Sequence, residues 1–165
     1  MLLRLRPSPL RICRFVLDTH LGKLARHLRM LGFDTLYRND YDDATLAGLG
    51  CREKRILLTR DQGLLKRRIV TRGYYVRETR PREQLREVLR RFDLYGNMQP
   101  WRRCLTCNGC LAAVQKERVI HRLEVNTRRY FHRFWMCADC GRIYWQGSHY
   151  QHMQVFLREL REEAP

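Results

Sequence analysis

The sequence predicts an α/β protein: a parallel β-sheet flanked by helices, followed by a small cysteine-rich ribbon and a terminal helix. Three observations predict it. From Cys13 to Phe92, short apolar runs alternate with segments of helical period, the pattern of consecutive βαβ units. The rhythm breaks at Tyr95-Gly96-Asn97-Met98-Gln99-Pro100. Beyond the break stand two Cys-x-x-Cys pairs in an aromatic, basic setting.

The elements follow in order. Residues 14–17 read as a buried strand, and Leu21, Leu24, Ala25, Leu28 and Leu31 line one face of a helix that stops at Gly32. Residues 34–37 form a second strand and 44–54 a second helix. Residues 55–59 form a third strand, 62–71 a third helix and 74–77 a fourth strand. Pro81 opens a helix carrying Leu85, Val88, Leu89 and Phe92, since proline suits a first helical turn. A sheet built this way is parallel and covered on both faces. The division falls into an α/β domain over 1–97 and a ribbon with its helix over 98–165. The last helix spans 148–162, with Ser148 and Gln151 placed as a capping box.

Of the 165 residues, 33 are Lys or Arg and 17 are Asp or Glu, a net charge of +16 with excess in both parts. Such a surface suits a polyanion, nucleic acid before an anionic membrane. No apolar run approaches the ~20 residues of a membrane span, and residues 1–7 carry no secretory apolar stretch. Four of seven cysteines in two pairs fit metal binding in a reducing cytoplasm better than disulfides.

Parallel sheets gather functional groups at the carboxyl ends of their strands. Asp18 ends the first strand, Asp40, Asp42 and Asp43 follow the second, and Asp61 follows the third. Carboxylates crowded together stay ionised only beside a cation, and Mg²⁺ or Mn²⁺ suits oxygen donors. Asp18, Asp61 and one of the Asp40–Asp43 group are the expected ligands, gathered around one point. Taken singly, each also reads as a helix N-cap. Lys23, Arg26 and Arg60 lie close to these acids in sequence and are expected to contact the nucleic acid. For Lys23, near an unfavourable helix end for a cation, the reading is a phosphate contact or a solvated side chain.

Two Cys-x-x-Cys turns supply four thiolates for a tetrahedral Zn²⁺ site without an open position, hence a structural one. Cys137 and Cys140 form one pair. The other is Cys104 with Cys107 or Cys107 with Cys110. The long gap before Cys137 has room for a hairpin through 119–125 and 130–135. Arg128, Arg129 and Arg133, beside Tyr130 and Trp135, suit phosphate contact and base stacking, although Trp135 fits the ribbon's own core at least as well.

The stretch Leu17-Asp18-Thr19-His20-Leu21-Gly22-Lys23-Leu24-Ala25-Arg26-His27-Leu28 and its continuation to Thr35 resemble the PIN-like ribonuclease domains named after the C-terminal region of the Mut-seven exonuclease. So do Ile56-Leu57-Leu58-Thr59-Arg60-Asp61, Cys104-Leu105-Thr106-Cys107-Asn108-Gly109, and the run from Cys137 through Tyr150. The resemblance spans about residues 13–155. It implies a PIN-like fold, a zinc ribbon, and an acidic pocket that binds divalent metal and cuts RNA. It selects Cys104, Cys107, Cys137 and Cys140 as zinc ligands and leaves Cys110 spare. By this resemblance Asp18 and Asp61 match the pocket acids, and Asp43 matches the acid that opens the second helix and joins them as a metal ligand. Asp40 is a neighbour, and only Glu78 lies near the fourth strand's end to serve as another. The expected function is a metal-dependent ribonuclease. The alternative is a non-catalytic module that binds structured RNA such as tRNA or rRNA, and a third reading is a toxin with an antitoxin partner.

Overall fold

The computed structural model describes residues 12–164; the reading of residues 1–7 lies outside them. The first part runs β1 (Phe15–Leu17), α1 (Gly22–Met30), β2 (Thr35–Leu36), α2 (Asp43–Arg52), β3 (Ile56–Thr59), α3 (Gln62–Leu65), β4 (Gly73–Tyr75) and α4 (Pro81–Arg91). The four strands make one parallel sheet in the order β2-β1-β3-β4. Phe15 stands level with Thr35 on one side and Ile56 on the other.

Strand period explains the two cores. Phe15, Leu17 and Leu58 point to the face covered by α1 and α4, where they meet Leu24, Leu28, Leu85 and Leu89. Val16 and Leu57 point to the other face and pack on Leu46, Ala47 and Leu64 of α2 and α3. Arg29, on the buried side of α1, is only 3 % exposed. Gly32 ends α1 at φ +91°, and a Cβ there would collide with the Gln99 carbonyl.

The second part runs β5 (Leu111–Val114), α5 (Lys116–Val119), α6 (Val125–Tyr130), β6 (Phe134–Cys137), β7 (Ile143–Trp145) and α7 (Ser148–Glu162). The three strands form an antiparallel sheet, β5-β6-β7. Its own core is small: Val119, Leu123 and Phe134 are its buried members. The helix α7 turns back on the first part, placing Phe156, Leu157 and Leu160 in the cluster of Leu28 and Leu85. Arg86 clamps its end through two bonds to Glu163, at 2.7 and 2.8 Å.

Four local expectations need correction. The third helix ends at Leu65, short of residue 71, because the β-branched Ile69, Val70 and Thr71 resist helix and the chain must turn into β4. The gap between the cysteine pairs holds α5 and α6, and the first ribbon strand comes earlier, at β5. The N-cap of α7 is Gly147, so Ser148 is already helical and makes no side-chain cap bond. Asp42, not Asp43, caps α2: its Oδ1 accepts from the Thr45 amide at 2.7 Å.

Candidate active site and metal centre

The sheet order makes β1 and β3 special. The chain leaves β1 toward β2 on one side and returns to β3 on the other, so a crevice opens at their carboxyl ends. Asp18 and Asp61 stand there. Asp18 is 8 % exposed. Its Oδ1 accepts from the Thr19 amide at 2.6 Å, and its Oδ2 accepts from the Thr59 hydroxyl at 2.7 Å. The Thr59 oxygen in turn accepts from the Asp61 amide at 2.9 Å. Asp61 caps α3, its Oδ1 accepting from Gly63 at 2.6 Å. One hydroxyl thus links the two acids. Among the described residues neither forms an ion pair.

The turn after β1 is held from outside. The Tyr37 hydroxyl donates to the Thr19 carbonyl at 2.9 Å. It reaches that far only because residue 22 lacks a side chain: a Cβ on Gly22 would lie 2.7 Å from the Tyr37 oxygen. Lys23 and Arg26 are exposed on α1, three residues apart and so on one face.

The other acids face arginines. Asp43 opens α2 and meets Arg67 at 3.3 Å. Asp40 takes two bonds from Arg38, at 2.8 and 2.7 Å, which hold its carboxyl below the usual range. Glu78 is exposed and lies beyond β4. The acid at that strand end is Glu87 of α4, which accepts from the Tyr74 hydroxyl at 2.8 Å and from the Arg77 and Glu78 amides at 2.9 Å. Sequence reasoning missed it because Glu87 is remote in the chain and looks like an ordinary polar position on a helix. Arg60 donates to the carbonyls of Val76, Arg77 and Glu78, so its guanidinium holds the loop after β4.

The cysteines behave differently from the carboxylates. The Sγ atoms of Cys104, Cys107, Cys137 and Cys140 all lie within 4.8 Å of one another, the only such ligand group of three or more among the described residues. Cys104 to Cys140 measures 3.7 Å and Cys107 to Cys137 3.4 Å. Tetrahedral zinc with bonds of about 2.3 Å needs sulfurs roughly 3.8 Å apart, so the set fits. Burial and three neighbouring thiols push Cys107 up to about 12. Cys104, although partly desolvated, is held down to about 6 by Tyr144 and backbone donors. Four thiolates coexist at neutral pH only around a cation. Cys110 is exposed and stands outside the set.

The first cysteine turn is fastened to the α/β sheet. Arg29 donates to the carbonyls of Thr35, Leu105 and Thr106 at 2.9, 3.2 and 2.9 Å. Asn108, with φ +73°, accepts from the Thr35 amide at 2.9 Å and donates to Asp34 at 2.8 Å. Burial would raise the Asp34 carboxyl, but bonds from Arg55 and Asn108 hold it down to about 2.

The family model of the Mut7-C RNAse domain matches residues 13–157. The chain belongs to that family. No curated protein and no solved structure matched it. Membership in the Mut7-C family points to ribonuclease-type function with RNA as the substrate class. Of the basic residues expected to meet RNA in this Mut7-C chain, Arg128, Arg129 and Arg133 are exposed on the ribbon. Arg129 lies over the Tyr130 ring and Arg133 over Trp135. Arg128 also donates to the Leu123 carbonyl at 3.0 Å. Among the described residues no helix is long and apolar enough to cross a membrane.

Proposed function

We propose that the chain is a divalent-metal-dependent ribonuclease that hydrolyses RNA phosphodiesters at the crevice between β1 and β3. The observation that carries this reading is Asp18: a buried carboxylate with no ion pair among the described residues, at the point where the sheet order reverses, joined to Asp61 through Thr59. Asp18 and Asp61 offer the hard oxygen donors that Mg²⁺ or Mn²⁺ takes, and such ions are held by one or two carboxylates together with water and substrate phosphate. Asp43 joins them only by leaving Arg67. A bound ion there would acidify water and neutralise charge on the phosphodiester. The chain's own residues do the rest. Thr59 orients Asp18, and Tyr37 fixes the turn beside it. Lys23 and Arg26 hold the RNA backbone, and Arg60 keeps the loop after β4 in place.

Zinc on Cys104, Cys107, Cys137 and Cys140 is structural in this reading, since the four thiolates leave no open position. A reducing, cytoplasmic setting is consistent with such a site. The second reading is a module that binds structured RNA, such as tRNA or rRNA, without cutting it. What favours it is that Asp40 and Asp43 are paired with arginines. Incubation of total RNA in Mn²⁺, in Mg²⁺ and in EDTA, beside Asp18→Asn, separates the two. Metal-stimulated cleavage lost in the variant supports the enzyme. Tight binding without cleavage in either metal supports the module.

A further inference from the structure

A cavity of about 430 Å³ lies between the ribbon, α1 and the start of α7, away from the crevice at Asp18. All three tryptophans of the chain, Trp101, Trp135 and Trp145, line it. Tyr150 joins them, its ring 4.5 Å from that of Trp101 and tilted by 37°. Among the described residues the lining includes Arg26, Arg103 and Arg142 and no carboxylate. Trp145 keeps 37 % of its surface exposed. Trp135, expected in the ribbon core, is half-buried on the opposite side of β6 from the buried Phe134 and contributes to this wall instead.

The cavity also stands in a useful place. Arg26 on its rim touches His149 of α7 at 3.1 Å. Lys23 is one turn earlier on the same face of α1, roughly 5 Å along the axis, toward the end where Asp18 lies. A polyanion held at Lys23 therefore passes Arg26 and the cavity mouth. An aromatic wall inside a cationic rim matches a ligand that is both polyanionic and built of planar rings. A cationic peptide meets like charge there, and an acidic peptide supplies charge without rings for three tryptophans.

We infer that this cavity receives an unstacked nucleobase of bound RNA, next to the segment lying at Asp18, by stacking on the tryptophan and tyrosine rings. The inference rests on the ribonuclease reading for the course of the strand. It gives the ribbon a task in substrate binding beyond holding the fold.

The test uses the full, zinc-loaded chain in chelator-free buffer lacking Mg²⁺ and Mn²⁺. Because every tryptophan lines the cavity, intrinsic fluorescence reports on it directly. A short oligouridylate is compared with an abasic ribose-phosphate oligomer of equal length and charge. The expected result is quenching by oligouridylate alone and affinity about tenfold above that of the abasic oligomer. Trp145→Ala and Tyr150→Ala should remove most of that difference and leave the abasic affinity unchanged. Equal affinity for both oligomers without quenching overturns the base pocket while leaving RNA binding by phosphate contact in place. Failure of both oligomers to bind overturns the pocket and the RNA reading together.

Discussion

The two parts of the molecule are held together by different physics. The α/β part buries apolar side chains on both faces of its sheet, with Phe15, Leu17 and Leu58 on one side and Val16 and Leu57 on the other. Among the described residues, the ribbon's own cluster buries just Val119, Leu123 and Phe134. A core that small does not offset the entropy of ordering its loops. A zinc ion on the four cysteines would make up the difference. The same contrast governs the two candidate metal groups: the thiolates have come together, whereas the carboxylates at the strand ends are only partly gathered, and two of them are taken by arginines. A centre that builds a fold must assemble with it, while one that serves chemistry needs room for substrate.

This comparison can be broken in several ways. The largest effect should come from Cys137→Ser, because thiolate–zinc bonding contributes on the order of 10–16 kcal/mol in small zinc modules. Zinc content should fall from one per chain, and the near-UV signal of the ribbon tryptophans should collapse, while α1–α4 keep their far-UV helix signal. A native near-UV spectrum in zinc-free protein would show that packing alone suffices.

Next in size are the crevice acids. Asp18→Asn and Asp61→Asn should each lower RNA cleavage by more than a hundredfold, since loss of even outer-sphere metal partners costs 10–100-fold. RNA affinity should stay level or rise slightly, because removing a negative charge reduces repulsion of phosphate. Variants that cut like the parent protein would reduce both acids to helix caps.

Packing gives the third test. Leu160→Ala, at a fully buried position of α7, should lower stability by about 2–5 kcal/mol in urea titration. A negligible change would mean that α7 is not part of the α/β core.

A pH test on Asp34 is smaller. Its folded carboxyl is held down to about 2 against an ordinary 3.8, so it contributes stability above the ordinary value that is lost as pH falls through about 4 to 2. The difference amounts to about 2 kcal/mol, and Asp34→Asn should flatten the stability–pH curve over that window. The mildest test is salt. RNA affinity should fall steeply between 50 and 200 mM salt if arginine–phosphate contacts dominate, and a flat response would remove the basic surface from the binding face.

Much of the α/β part was legible in the sequence because its signals are local. Apolar runs bounded by Gly32 and Pro81 mark strands and helices whose cores depend on alternation alone. The cysteine set was legible for the same reason, each pair being one tight turn, although excluding Cys110 took the resemblance and then the sulfur distances. The helix caps at Asp42 and Gly147 were misjudged by one residue, because neighbouring acids or small residues compete for a cap with little difference in energy. What the sequence hid was long-range. Nothing near Arg60 announces that it binds carbonyls at 76–78, and nothing near Arg29 announces that it reaches the first cysteine turn. The cavity of the three tryptophans was hidden likewise, since Trp101 and Trp145 come from segments that meet only in the folded chain.

The bond from the Thr35 amide to Asn108 has a consequence for solubility. With β2 at the margin of the sheet, Thr35 would otherwise present an open amide there, the kind of exposed template on which strands of other molecules add. The cysteine turn covers that margin, with Arg29 binding the Thr35 carbonyl as well. Metal loss should therefore do more than loosen the ribbon. It should uncap the sheet, so that chelated protein associates edge to edge, visible as light scattering that rises with protein concentration and is suppressed when zinc is restored.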